Sequence, residues 1–220
     1  MKYKNLVLCG LAIFFSTNAI AQRRDLYTLE SPYERYTYNL ATLKWVAAVP
    51  MGSITDGYVD KASFGNYAFS LEWVFRQTPV SGGIEAGKYY FEQRNPRATY
   101  QKGNNDVSAV KTSTFSTVPL TAFAKYHFLG TNAQLSPYVQ VNLGAHFNNY
   151  IDYFGSLADQ KRKTTFGFAG AAGLKYFFKK DGSFGLDLSV RYDQNTFKYE
   201  YIQNGFSAFS GSAGLFYRWW

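Results

Sequence analysis

The chain has one cysteine, Cys9, and two histidines, His127 and His146. Beyond residue 21 there is no thiol, which excludes a disulfide framework, a thiolate metal site and a thiolate nucleophile. After the N-terminal segment there is also no run of about 18 apolar residues, so no helix can span a bilayer. No Asp/Glu cluster has the spacing of a metal-binding loop. Gly167, Gly170 and Gly173 lack the Gly-Lys-Ser/Thr ending of a phosphate loop, and tight packing is their expected role. Mean hydropathy is slightly negative, although aromatics make up 20% of the residues. A helical membrane protein does not combine these properties, but a barrel with half of every strand facing a polar interior does.

What the chain does have is a period of two. From Thr165 to Phe178 one face reads Phe166, Phe168, Gly170, Ala172, Leu174, Tyr176, Phe178, and the other Gly167, Ala169, Ala171, Gly173, Lys175. From Phe184 to Asp193, Phe184, Leu186, Leu188, Val190 and Tyr192 alternate with Gly185, Asp187, Ser189, Arg191 and Asp193. Successive strand residues point to opposite faces. Each stretch therefore has one apolar face and one small or charged face. The Asp181-Gly182 pair between them signals a tight hairpin. Lipid outside and polar lumen inside is the pattern of a transmembrane β-barrel.

The same reading predicts an all-β, eight-stranded antiparallel up-and-down barrel over residues 36–220. Strand one covers Tyr36–Val49, with Leu43, Trp45 and Ala47 outward and Lys44 inward. Strand two covers Gly65–Arg76, with Tyr67, Phe69, Leu71, Trp73 and Phe75 outward and Asn66, Ser70 and Glu72 inward. Thr78-Pro79 and Ser81-Gly82 form a short turn. Strand three, Gly83–Glu92, is interrupted by Lys88, which either lies near the headgroups and snorkels or marks a bulge. A polar loop, Gln93 to Ser113, precedes strand four. That strand places Val118, Leu120, Ala122, Ala124, Tyr126 and Phe128 outward, and Pro119 within it predicts a bulge. Strand five has Leu135, Val139, Val141, Leu143, Ala145 and Phe147 outward, and a loop from Tyr150 to Lys163 follows. Strand eight places Phe209, Ala213, Leu215, Tyr217 and Trp219 outward.

Longer connections alternate with tight turns, as expected of a barrel with external loops and periplasmic turns. Both termini then lie in the periplasm. Phe75, Tyr126, Phe128, Tyr176, Phe178, Phe184 and Trp219 fall at one level, as an interfacial aromatic girdle would. At the N-terminus, Lys2 and Lys4, the apolar Leu6–Phe15 and Ala19-Ile20-Ala21 read as a signal peptide cleaved after Ala21. Residues 22–35 read as a periplasmic lead-in.

Two segments carry a resemblance: Val118-Pro119-Leu120-Thr121-Ala122-Phe123-Ala124-Lys125-Tyr126-His127-Phe128 and the terminal Gly214-Leu215-Phe216-Tyr217-Arg218-Trp219-Trp220. With them the chain resembles the small OmpA/OmpX-type barrels of the outer membrane protein beta-barrel family. The alternating set ends at Trp219, one residue short of the terminus. The resemblance implies residence in the outer membrane, delivery by the barrel assembly machinery, and no catalytic motif. A monomer is expected.

An eight-stranded barrel has a lumen that its own side chains can fill. The inward charges are Lys44, Glu72, Glu85, Lys125, Lys175, Asp187, Arg191, Asp193 and Arg218. They either form a salt-bridged block or narrow gate, or simply solvate the interior and hold the strands together. No catalytic residue, cofactor or metal ligand is assigned. The net charge of +8 becomes +6 once Lys2 and Lys4 leave with the leader, and on an exported chain that excess points to anionic surfaces and not to nucleic acid. Arg94, Arg97, Lys102, Lys161, Arg162 and Lys163 in the outer loops either meet lipopolysaccharide phosphates or an acidic extracellular ligand, or are simply solvated. Three functions stay open: a structural or surface-interaction barrel, a narrow low-conductance pore, and a lipid-A-modifying enzyme. A soluble ligand-binding barrel would leave the Phe, Leu and Trp faces in water.

Overall fold

The computed structural model describes residues 37–55, 58–76, 78–102, 105–131, 133–154, 157–179, 182–199, 202 and 204–220, with side chains except at 98–109 and 157. The leader, the lead-in, Tyr36 and the side chain of Lys102 lie outside the described residues. Eight strands form: β1 (Thr37–Met51), β2 (Ser63–Phe75), β3 (Val80–Lys102), β4 (Asn105–His127), β5 (Leu135–Phe154), β6 (Leu157–Phe177), β7 (Phe184–Asn195) and β8 (Phe206–Trp219). Each pairs antiparallel with its sequence neighbour, and β8 closes on β1.

Following one row of partners shows how the strands are staggered. Tyr38, Val74, Ser81, Lys125, Gln140, Ala171, Arg191 and Ser210 lead back to β1 at Ala48, from residue 38 to residue 48, a stagger of ten. With eight strands that stagger tilts them about 40° from the axis. The interior is then narrow enough for side chains to meet across it.

The alternation holds in every wall strand. Leu43, Trp45, Phe69, Trp73, Ile84, Leu120, Val141, Leu143, Phe168, Leu188 and Leu215 are exposed large apolar residues on the outside. The girdle residues sit at the turn end. Tyr126 and Phe128 meet edge-on at 5.5 Å, Phe184 lies 5.0 Å from Tyr217, and Tyr217 stacks near Trp219 at 6.2 Å. Lys88 faces outward with Tyr90. The β3–β4 register is the same on both sides of Lys88, with Ala86 opposite Leu120 and Tyr89 opposite Thr117. No bulge lies there. Stagger and tilt put Lys88 roughly 20–25 Å above the base, at the upper edge of the apolar band, where its stem can snorkel.

Four sequence expectations need correction. The stretch Gln93–Ser113 is not a loop but continues β3 and β4 as a paired ribbon, down to Lys102 opposite Asn105. Likewise Tyr150–Lys163 is ribbon, with Phe154 opposite Leu157. In their lower part these stretches bury Lys111, Ser113, Tyr150 and Asp152 on the inner face, and at residues 160–163 both faces are exposed, so the apolar period that marks the wall is missing. Ser81-Gly82 belongs to β3, which leaves Arg76 to Pro79 for the turn. Finally, Pro119 causes no bulge. It stays in register with His146 of β5, while pairing with β3 lapses at Gly87 and Lys88 and then resumes unshifted. The missing N–H of proline costs rungs there, not register. The register shifts fall instead between Val46 and Ala48 and between Arg94 and Arg97.

Candidate functional site

The lumen is layered. At the turn end Tyr38, Leu40, Val74, Phe177 and Phe216 form an apolar base. Thr131 from the β4–β5 turn is buried there, and the Tyr38 hydroxyl donates to its carbonyl at 2.6 Å. The Arg218 guanidinium packs over the rings of Phe177 (4.7 Å), Trp220 (5.0 Å) and Tyr38 (5.4 Å), so it joins this base and not the charged layer above.

Above the base, Glu72 of β2 takes Lys125 of β4 and Lys175 of β6, each at 2.6 Å. Ser81 donates to the same carboxylate at 2.6 Å. Asp187 of β7 pairs with Lys44 at 3.1 Å and accepts from the Tyr138 hydroxyl at 2.8 Å. Further up, Arg191 bonds Asp193 through Nε at 2.9 Å and Nη2 at 2.6 Å, and pairs with Glu85 through Nη1. Strand pairing alone cannot bring β2 against β6, but a lumen this narrow can. All nine anticipated lumen charges are buried. In these two clusters Lys44, Lys125, Lys175 and Arg191 balance Glu72, Glu85, Asp187 and Asp193. A buried carboxylate flanked by hydrogen-bonded cations is the arrangement in which desolvation is most nearly offset.

At the opposite end the barrel is plugged. Ile54, Tyr58 and Val59 of the β1–β2 connection, with Phe197 and Ile202 of the β7–β8 connection, fold inward against Phe91, Phe115, Tyr150 and Phe206. Tyr58 stacks on Tyr150 at 4.4 Å and donates to the carbonyl of Thr114 at 2.8 Å. Beside them, Lys111 and Asp152 form a buried pair at 3.1 Å. None of this plug was expected from sequence. Its apolar residues are scattered through connections without a period, and Lys111 and Asp152 fall in stretches that read as loops.

The two histidines lie on adjacent strands but at different levels. His127 contacts the hydroxyls of Ser81 and Ser136, each at 2.9 Å, with Glu72 3.6 Å away. A serine, a histidine and a carboxylate thus meet, but at the buried turn end and far from an outer rim. Ser81 is fully enclosed and already bound to Glu72, so a substrate has no approach. Among the described residues, no group of three His, Cys, Asp or Glu could hold a metal. Of the three glycines, Gly167 and Gly173 do lie against neighbours, His146 and Tyr138. A side chain at Gly170 would meet open space, so packing does not explain that one.

The rim cations do not form one patch. Arg94 and Arg97 are exposed on β3, and Lys161, Arg162 and Lys163 are exposed on β6. Register puts Arg162 on the row of Asn149, Ser116 and Tyr90, hence on the outward face. Lys161 and Lys163 take the opposite face, where Lys161 reaches over Tyr199 at 5.9 Å.

These features define a closed eight-stranded antiparallel barrel with an apolar outer wall and an ion-paired, plugged interior. No family model and no curated protein matches the sequence. Among solved structures, the chain is similar to three outer-membrane barrels. The attachment invasion locus protein Ail of Yersinia pestis matches at 16% identity and a TM-score of 0.46, over 83% of this chain and 97% of that one. Neisserial surface protein A matches at 16% and 0.46, over 82% and 96%. Outer membrane protein W of Escherichia coli matches at 15% and 0.44, over 84% and 98%. The architecture rests on the closed ladder of strand pairs and not on these likenesses.

Proposed function

We propose that this chain is an integral outer-membrane barrel that works at the cell surface, with its lumen serving as structure and not as a passage. The observation that carries this reading is the contrast between wall and lumen. A continuous belt of Phe, Leu, Val and Trp faces outward, while the interior is closed in turn by an apolar base, two ion clusters whose charges balance when taken together, and an aromatic plug. Among the described residues, no arrangement in the interior offers an ion a continuous path or a substrate an entry. The functional surface is then the pair of hairpins, β3–β4 and β5–β6, that rise beyond the other strands. Their exposed arginines and lysines suit phosphate-bearing ligands, with lipopolysaccharide as the partner most at hand. Delivery by the barrel assembly machinery, monomeric state and periplasmic termini belong to the same proposal.

Fractionation with heat-modifiable gel mobility tests it. Expected is outer-membrane material that migrates compactly until boiled. Recovery in a soluble periplasmic fraction would end the proposal. Planar-bilayer recording is expected to show no unitary steps, and mass spectra of lipid A from a deletion strain are expected to match the parent.

A further inference from the structure

Between the upper ion cluster and the aromatic plug lies a cavity of about 10 Å³, lined by Tyr89, Thr117, His146, Asp193, Phe206 and Ala208. Three of these residues bring polar atoms that have no hydrogen-bond partner: Thr117 Oγ1, Asp193 Oδ2 and both ring nitrogens of His146. All three residues are more than nine-tenths buried. Unpaired buried polar groups are costly, and here they share one small space. The ring of His146 is held there by a gap in the neighbouring strand. A Cβ built on Gly167 would stand 2.5 Å from Cδ2 and Nε2 of the ring. Only glycine at 167 lets the imidazole lie against β6 beside the cavity.

We infer that this cavity is a binding site for a single structural water, held by Thr117, His146 and Asp193. The volume is that of one water, and such waters make about three hydrogen bonds to otherwise unsatisfied groups. The donor and acceptor count closes. The carboxylate accepts one proton of the water, and the hydroxyl and imidazole can each donate to it or accept from it. A cation is the poorer occupant. Asp193 Oδ1 already accepts from Nε and Nη2 of Arg191, whose guanidinium also meets Glu85. The cluster as a whole carries one negative charge in excess, but a metal would sit beside the Arg191 guanidinium, with Asp193 Oδ2 as the one unpartnered carboxylate oxygen in the lining. The water would tie the ion cluster to His146 and so connect β4, β5 and β7 beneath the plug. This inference stands whether or not the barrel resides in a membrane.

The test is a crystal structure of the purified barrel in detergent, at a resolution that shows ordered solvent. Expected is one density peak at hydrogen-bond distance from Thr117 Oγ1, Asp193 Oδ2 and a nitrogen of His146. In Thr117→Val the peak should be lost or displaced, and the temperature of the heat-modifiable transition should fall by several degrees. Gly167→Ala, which pushes the ring into the cavity, should do the same. A dry cavity in the wild-type map overturns the inference, and so does a peak that gains anomalous signal after a zinc soak. Unchanged transition temperatures in both variants would also count against it. The wild-type map alone decides the matter if either variant fails to fold.

Discussion

The outside and the inside of this barrel are made by the same strands, one residue apart, yet they obey opposite rules. Outward, Val141 is 62% exposed and apolar; inward, its neighbour Gln140 is 4% exposed and polar. A water-soluble protein hides its apolar atoms and shows its charges. Here charges are hidden and apolar atoms shown, which is stable only if hydrocarbon wets the outside. Brominated acyl chains should therefore quench a single tryptophan reporter at 141 or 188 and spare one at 140 or 189. Equal quenching at all four would remove the distinction between the faces.

The largest effect is expected inside. Glu72→Gln leaves Lys125 and Lys175 buried without their anion. Removing one member of a buried ion cluster costs about 3–5 kcal/mol, measured as the urea midpoint of the barrel in detergent or vesicles. The control sharpens the point. Combining Glu72→Leu with Lys125→Met and Lys175→Met should recover most of that loss, because matched apolar side chains need no desolvation. If the triple variant is no better than Glu72→Gln, charge pairing is not what fills this layer.

On the outside the corresponding breach is Leu188→Arg, half-exposed near mid-height of the wall. An arginine on the lipid face at mid-depth costs on the order of 2–4 kcal/mol. Ser189→Ala, on the inner face, removes a hydroxyl bonded to Ser212 at 2.7 Å and should cost only about 0.5–1.5 kcal/mol. Unfolding in vesicles separates them, and an innocuous Leu188→Arg would mean that side is not in lipid.

A third substitution probes how the faces are kept apart. A Cβ on Gly173 would come within 2.6 Å of the Tyr138 ring and 2.7 Å of the Leu188 carbonyl. Tyr138 holds Asp187, so Gly173→Ala disturbs an ion cluster without changing a charge. Overpacking of this kind costs about 1–3 kcal/mol. Gly170→Ala on the other face meets nothing and should leave the midpoint unchanged.

How far the fold could be read from sequence follows from this contrast. Where lipid meets one face and lumen the other, alternation is forced. Lys44, Glu72, Lys175 and Asp187 were thus assignable to the interior from parity alone. Which of them would meet was not, because β2 and β6 touch only across a lumen whose stagger the sequence does not state. Ser81 was missed as a partner of Glu72 and His127 because Pro79 and Gly82 around it look like a turn. The plug residues Tyr58 and Phe197 gave no signal, since a residue that folds in from a connection has no period to obey.

Above the plug the rule that separates the faces lapses, because at residues 160–163 of β6 both faces are exposed. A charge there should matter little to folding: Arg162→Gln is expected to change stability by less than about 0.5 kcal/mol. It should matter to binding if the rim meets phosphates. Arg162 shares the outward face with Tyr90, next to the upper edge of the belt, where headgroups of the surrounding leaflet would lie. Lys161 and Lys163 point to the other side. Arg162→Gln should therefore weaken binding to lipopolysaccharide bilayers, in low salt, more than Lys163→Gln does. Titration with lipopolysaccharide at increasing salt and magnesium measures this, since exposed contacts are screened within about 10 Å at 0.1 M. If the two substitutions weaken binding equally, the ribbons act as a diffuse cationic surface and their two faces are equivalent. If neither does, and the variant neutralised at Arg94, Arg97 and Lys161–Lys163 also binds as well as the parent, the rim cations are solvated bystanders and the surface partner must be sought elsewhere.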